Sequence, residues 1–169
     1  MNKYLTHIPI SDETLELLKK EFYDNLHKAK KYTASNGVIT RTLEEMDVIR
    51  LEDMIDCNVA HTIADNLSRM IVANVKPRYY RQQAGSDLEA HRDVGATVAL
   101  NVVLEGSGPI VFDNEIEIYY KCALLDVTQM HSVKTEDTRV LFRLTMDDID
   151  YEDVLFMIEG REHDIFNIS

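Results

Sequence analysis

Cysteine is scarce. Only Cys57 and Cys122 occur in 169 residues, which excludes a disulfide-built scaffold and suits a reducing cytosol. No apolar run approaches the roughly 18–20 residues that a membrane helix needs, so no spanning segment is expected. The opening stretch, MNKYLTHIPISDETLELL, lacks the basic start and long apolar core of a secretory signal, and a cytoplasmic protein is expected. Cationic residues are also in short supply, with 18 Lys and Arg against 30 Asp and Glu, a net charge of −12. A surface that grips phosphates carries the opposite balance, so nucleic acid is disfavoured as a partner. Repeats and low-complexity stretches are absent.

What is present fits one globular domain, 1–169, with 45% hydrophobic and 28% charged residues. Three stretches differ in texture. Residues 1–76 read as a helical support. Ser11 is a good N-cap for a helix to about Lys31, with Leu15, Leu18, Phe22 and Leu26 at helical steps until Gly37 breaks the pattern. A second helix is predicted over Leu51–Asn74, where Ile55, Val59, Ile63, Leu67 and Ile71 form one stripe, ended by Pro77.

Residues 77–146 read as a β core. Val98, Leu100, Val102 and Leu104 alternate with polar or small residues, and short strands fit 79–84, 110–112, 116–120, 123–126 and 139–145. Residues 147–169 hold eight acidic residues and one Arg, enough apolar residues to pack, and read as an acidic closing segment. Helices followed by many short strands predict an α+β fold, with helices backing a sandwich or barrel.

The chemistry-bearing residues lie in the β core. In His91-Arg92-Asp93, residues two apart on an extended segment point the same way, so an imidazole and a carboxylate can meet one ion. His131, on another strand, would complete a facial set of two histidines and one carboxylate. Such a set suits non-haem Fe(II) and leaves positions open for co-substrate and dioxygen. Arg139, eight residues after His131, could pair with a dianionic co-substrate. Two partly buried histidines held only by hydrogen bonds would show the same spacing. Cys57, His61 and Asp65 share a helix face, but two turns spread them over about 12 Å, too far for one ion, and packing explains them.

The order of elements is more specific than the triplet. YYRQQAGSDLEAHRDVGATVALNVVLEGSGPIVF followed by ALLDVTQMHSVKTEDTRVLFRLTM resembles the iron(II)/2-oxoglutarate-dependent dioxygenase superfamily across residues 79–146. The Gly106–Phe112 turn is similar to the prolyl hydroxylase-like group. The run Leu125–Val133 is similar to the aspartyl/asparaginyl hydroxylase-like group, with Leu125 and Val127 departing from its acidic pattern. The resemblance implies a double-stranded β-helix, a cupin-like jelly roll, buttressed by the N-terminal helices.

It further implies that His91, Asp93 and His131 bind Fe(II) and that 2-oxoglutarate and O2 are consumed. The far carboxylate of 2-oxoglutarate would rest on Arg139, or on Arg143, which lies on the same face by alternation. Tyr80 would add a phenolic hydrogen bond, with Tyr79 or Gln82 as alternatives in another register, and Asn101 would line the pocket. The implied oxidoreductase is a hydroxylase acting on an amino acid or a peptidyl side chain. Two alternatives stand beside it. One is an oxidative demethylase of a nucleobase or nucleic acid, for which Arg78, Arg81 and Arg92 are the available cations. The other is a non-catalytic cupin-type module holding a metal or small ligand.

Overall fold

The computed structural model describes residues 2–35, 40–113 and 116–169; Gly37, the predicted break, lies outside them. Eleven strands and three α-helices run in the order β1 (Leu5–His7), α1 (Asp12–Asp24), β2 (Lys30–Ser35), β3 (Thr40–Ile49), α2 (Asn58–Ile71), β4 (Lys76–Gln82), β5 (Leu88–His91), β6 (Val98–Glu105), β7 (Ile110–Phe112), β8 (Glu117–Ile118), β9 (Cys122–Asp126), β10 (His131–Val133), β11 (Arg139–Met146) and α3 (Tyr151–Ile158) among these residues.

The strands form two antiparallel sheets. The larger has the order β1-β9-β6-β11-β4-β3-β2 and the smaller β5-β10-β7-β8. Together they make a double-stranded β-helix of the cupin-like jelly-roll type, with the helices on the outer face of the large sheet.

Alternation on the large sheet separates two environments. Tyr79, Leu100, Val102, Leu124, Val140, Phe142 and Leu144 point outward into a core shared with Phe22, Ile63, Leu67 and Val154 of the helices. On the inner face, Ala99, Ala123 and Leu125 meet Ile110, Phe112 and Val133 of the small sheet at one end. Met46, Val48, Tyr80 and Leu141 pack together at the other. A polar band lies along the inner face between these two apolar plugs.

The helices begin as their caps dictate. The Ser11 side chain accepts from the Thr14 N–H of α1. The α2 N-terminus is capped from a distance: buried Glu21 of α1 accepts from the Val59 and Ala60 N–H groups at 2.8 and 2.9 Å, and from the Tyr79 hydroxyl at 2.8 Å. A carboxylate there satisfies orphan amides and favours the helix dipole.

Two features of the chain differ from expectation. Residues 1–76 are not all helical: α1 ends at Asp24, and β1, β2 and β3 all join the large sheet. The β2–β3 pairing shifts register between Lys31 and Tyr32, where the partners jump from Asp47 to Leu43. Leu43 and Met46 consequently reach the same apolar cluster from positions three apart, which reads as helical spacing. Residue 77 is no boundary either, since Pro77 sits inside β4, opposite Leu144 of β11 and beyond the part of β4 that β3 covers.

The acidic segment 147–169 forms α3 and a 3-10 turn, Glu162–Phe166. Its buried residues join the helix-side core, and Asn66 of α2 donates to the Ile165 and Asn167 carbonyls. It closes the outer face of the large sheet, away from the polar band.

Candidate metal centre

β5 and β10 place the two histidines. They are antiparallel neighbours in the small sheet, and His91 and His131 are register partners, with ring centroids 4.5 Å apart. Asp93, just past β5, is anchored by its own N–H donating to the Val127 carbonyl at 3.1 Å. Its Oδ1 lies 3.3 Å from His91 Nε2 and 3.2 Å from His131 Nε2. The three donor atoms fall within 4.8 Å of one another, a group able to hold a metal ion.

The ring orientation is fixed from behind. His91 Nδ1 bonds the Glu89 carbonyl at 2.6 Å, and His131 Nδ1 bonds the Gln129 carbonyl at 2.8 Å. A carbonyl only accepts, so each Nδ1 carries hydrogen and each ring turns Nε2 toward a common point, where Nε2 donates to Asp93 when the ring is protonated and offers a lone pair to an ion when it is neutral. The turn before His131 is set by Asp126, which accepts from both the Thr128 N–H and its hydroxyl. Thr128 thereby has a structural task.

Arg143 donates to the other carboxylate oxygen, Oδ2. Burial opposes ionisation of Asp93, but the Arg143 charge and the hydrogen bonds from both histidines outweigh it and hold the carboxyl well below its ordinary value. The Asp93 hydrogen bond in turn raises the His91 pKa against the effect of burial.

Arg139 and Arg143 both point inward, as alternation requires, yet their neighbours differ. Arg139 is 2% exposed. Its guanidinium donates to Gln82 Oε1 at 3.2 Å and to the Tyr120 hydroxyl at 2.8 Å, and among the described residues no carboxylate pairs with it. Asn101 also donates to the Tyr120 hydroxyl, at 3.0 Å. Two buried atoms of this cage, Arg139 Nε and Asn101 Oδ1, have no hydrogen-bond partner. A buried cation without a counter-charge and with an unused donor is costly, and suits a site that receives an anion.

The backbone leading into Arg139 is fixed by Gly106 and Gly108. A Cβ on Gly106 would fall 2.2 Å from the Thr138 carbonyl oxygen, and one on Gly108 2.1 Å from that of Lys134. A groove of about 510 Å³ opens at this end, lined by Tyr119, Tyr120, Val103 and the two glycines among others, and touches none of the three ligand residues.

The register settles β4. Arg78, Tyr80 and Gln82 face inward, opposite Arg143, Leu141 and Arg139, while Tyr79 faces the helices and donates to Glu21. Tyr80 is at the inner face as expected and packs with Leu141, whereas Gln82 is the β4 residue that holds Arg139. Tyr120, the other partner of Arg139, precedes β9 in irregular backbone, where no alternation in the sequence marks its direction. Cys57, His61 and Asp65 form no shared site: the His61 ring bonds the Met54 carbonyl, and Cys57 is buried with its thiol pushed up to about 11 by burial and by nearby Glu21.

No protein-family model matches this chain, and neither does any curated protein sequence. Among solved structures, AviO1 from Streptomyces viridochromogenes Tue57 aligns with a TM-score of 0.53 at 14% identity, over 87% of this chain and 91% of that one. A salicylate 1,2-dioxygenase from Pseudoaminobacter salicylatoxidans aligns at 0.43 and 14% identity over 89% of this chain, which spans 34% of that longer one. An RmlC-like cupin protein from Desulfovibrio desulfuricans aligns at 0.36 and 26% identity, over 43% of this chain and 73% of that one. The first agrees with the fold described above; the other two align too loosely to bear on activity. No helix among the described residues is long and apolar enough to cross a membrane.

Proposed function

We propose that the chain is an Fe(II)- and 2-oxoglutarate-dependent dioxygenase that hydroxylates an amino acid or a peptidyl side chain. The observation that carries this reading is the pairing of a facial donor set with a buried, acid-free arginine on one inner face. His91, Asp93 and His131 would hold the iron, with Nε2, Oδ1 and Nε2 as donors. Iron bound there with 2-oxoglutarate would supply oxidative decarboxylation of the keto acid to succinate and carbon dioxide coupled to hydroxylation of the substrate, with dioxygen as the oxidant, one of its atoms going to succinate and the other to the hydroxylated product.

The chain's own residues do the positioning. The Glu89 and Gln129 carbonyls fix the two rings, and Arg143 occupies Oδ2 so that Asp93 offers one oxygen. Arg139 is the better anchor for the far carboxylate, because Arg143 already has a carboxylate and Arg139 has none among the described residues. Asn101 and Tyr120 would orient that group by hydrogen bonds, and Tyr80 would wall the space between the two arginines.

The test is anaerobic titration with Fe(II) and 2-oxoglutarate, following the weak visible charge-transfer band of the chelate. The expected result is a band in the native protein, its loss in His91→Ala, and weaker co-substrate binding in Arg139→Ala. Absence of both band and iron uptake overturns the reading and leaves a ligand-binding cupin-type module in its place.

A further inference from the structure

The inner face carries one more arginine whose charge is not spoken for. Arg78 is half-buried on β4 and is the direct cross-strand partner of Arg143 on β11. Its hydrogen bond within the protein runs to the Tyr80 hydroxyl at 3.5 Å, the outer limit of such a contact. No carboxylate pairs with it among the described residues, in a chain that has 30 of them. Tyr32, reaching over from β2, stacks edge-on against Tyr80 with centroids 5.9 Å apart. Arg143, opposite Arg78 in the β4–β11 pair, bonds Asp93, so Arg78 and the two phenols lie at the metal end of the band.

We propose that Arg78, walled by Tyr32 and Tyr80 and set beside Arg143, is an anion subsite next to the three metal ligands, and that it takes the carboxylate of a small-molecule substrate. The proposal rests on the function proposed above for the position of the chemistry and narrows its substrate class. A guanidinium presents a planar fork that matches a carboxylate in a bidentate pair, and nearly all its donors are unused here. The two phenols supply hydroxyls and an apolar wall, which suits a compact acid.

A nucleic-acid strand suits the site less well, because a phosphate track needs a row of free cations. Arg81 faces the other side of β4 and is bound by Asp47 at 2.9 and 3.2 Å, Arg143 is bound by Asp93, and Arg139 sits in its cage with Gln82 at the far end. Arg92, exposed between His91 and Asp93, adds a second cation but not a row, and within the band Arg78 is the open one at the metal end, where it selects one anionic group.

The experiment uses the full chain loaded anaerobically with Fe(II) and 2-oxoglutarate. The probes are acetate, propionate, benzoate and the common free L-amino acids, each beside its amide, together with inorganic phosphate and a short single-stranded oligonucleotide. Binding is read twice, by perturbation of the visible band and by calorimetry. At least one acid is expected to bind about tenfold or more tightly than its amide, and Arg78→Gln to lose that preference while Arg78→Lys keeps part of it. The band itself and its co-substrate dependence should survive both substitutions.

Equal binding of acids and amides, tighter binding of phosphate or the oligonucleotide than of any acid, or an acid preference that persists in Arg78→Gln would each overturn the subsite. If the band never forms, the dioxygenase reading fails on its own, and the calorimetric comparison of acid with amide still decides the subsite.

Discussion

Arg139 and Arg143 stand four residues apart on the inner face of β11, about 13 Å along the strand, and are held by opposite means. Arg143 is matched to Asp93, so its charge is closed within the protein. Arg139 is wrapped in Gln82 and Tyr120, neutral groups that direct its donors without cancelling its charge. β4 repeats the contrast across its two faces, with Arg81 bound to Asp47 and Arg78 free of any carboxylate among the described residues. Arginines with an acid partner serve the structure, whereas those without one are available to something that arrives from outside.

The largest effect expected is at the closed end. Asp93→Ala leaves Arg143 with no counter-charge inside the sandwich and should cost the metal-free protein about 3–5 kcal/mol in urea denaturation. Adding Arg143→Leu should restore most of that loss while iron binding stays absent, and a small loss in the single variant would break the contrast. At the open end, Arg139→Leu removes a cation that no carboxylate among the described residues neutralises. Its stability should stay within about 1 kcal/mol of native, because relief of burial offsets the lost hydrogen bonds. Calorimetric affinity for 2-oxoglutarate should nevertheless fall about a hundredfold.

Gly108→Ala tests whether the turn beside Lys134 fixes the approach to Arg139. The forced displacement should cost about 1–3 kcal/mol by denaturation and weaken 2-oxoglutarate more than Fe(II).

The smallest effect concerns Asp47, where burial raises the carboxyl pKa but Arg81 and Lys31 outweigh it and leave the value lowered. A depressed carboxyl contributes stability that is present above its unfolded value of about 3.9 and is lost as pH falls below it. Asp47→Asn should therefore show a shallower fall in urea midpoint below about pH 4 than the native protein.

Much of the β core was legible because alternation and turn chemistry survive there. Ile110–Phe112 is β7 as predicted, β9 and β11 each match within one residue, and His91, Asp93 and His131 come together. Alternation also put Arg139 and Arg143 on one face, but it could not distinguish them, because the difference lies in partners supplied by other elements. Asp93 comes from beyond β5 and Tyr120 from irregular backbone before β9. The β2–β3 pair was hidden by its register shift. Both helices were foreseen too long: α1 stops at Asp24, and Leu51–Asp53 is a separate 3-10 turn, so Ile55 of the predicted stripe is 80% exposed.

Tyr79 and Tyr80 are consecutive residues with opposite duties. One is tied to Glu21 and, through it, to the first amides of α2; the other walls the band that holds both arginines. β4 is thus a partition with a latch on its outer side and a working surface on its inner side. The thickness of that partition is a single peptide unit, so whatever displaces the latch moves the working surface with it.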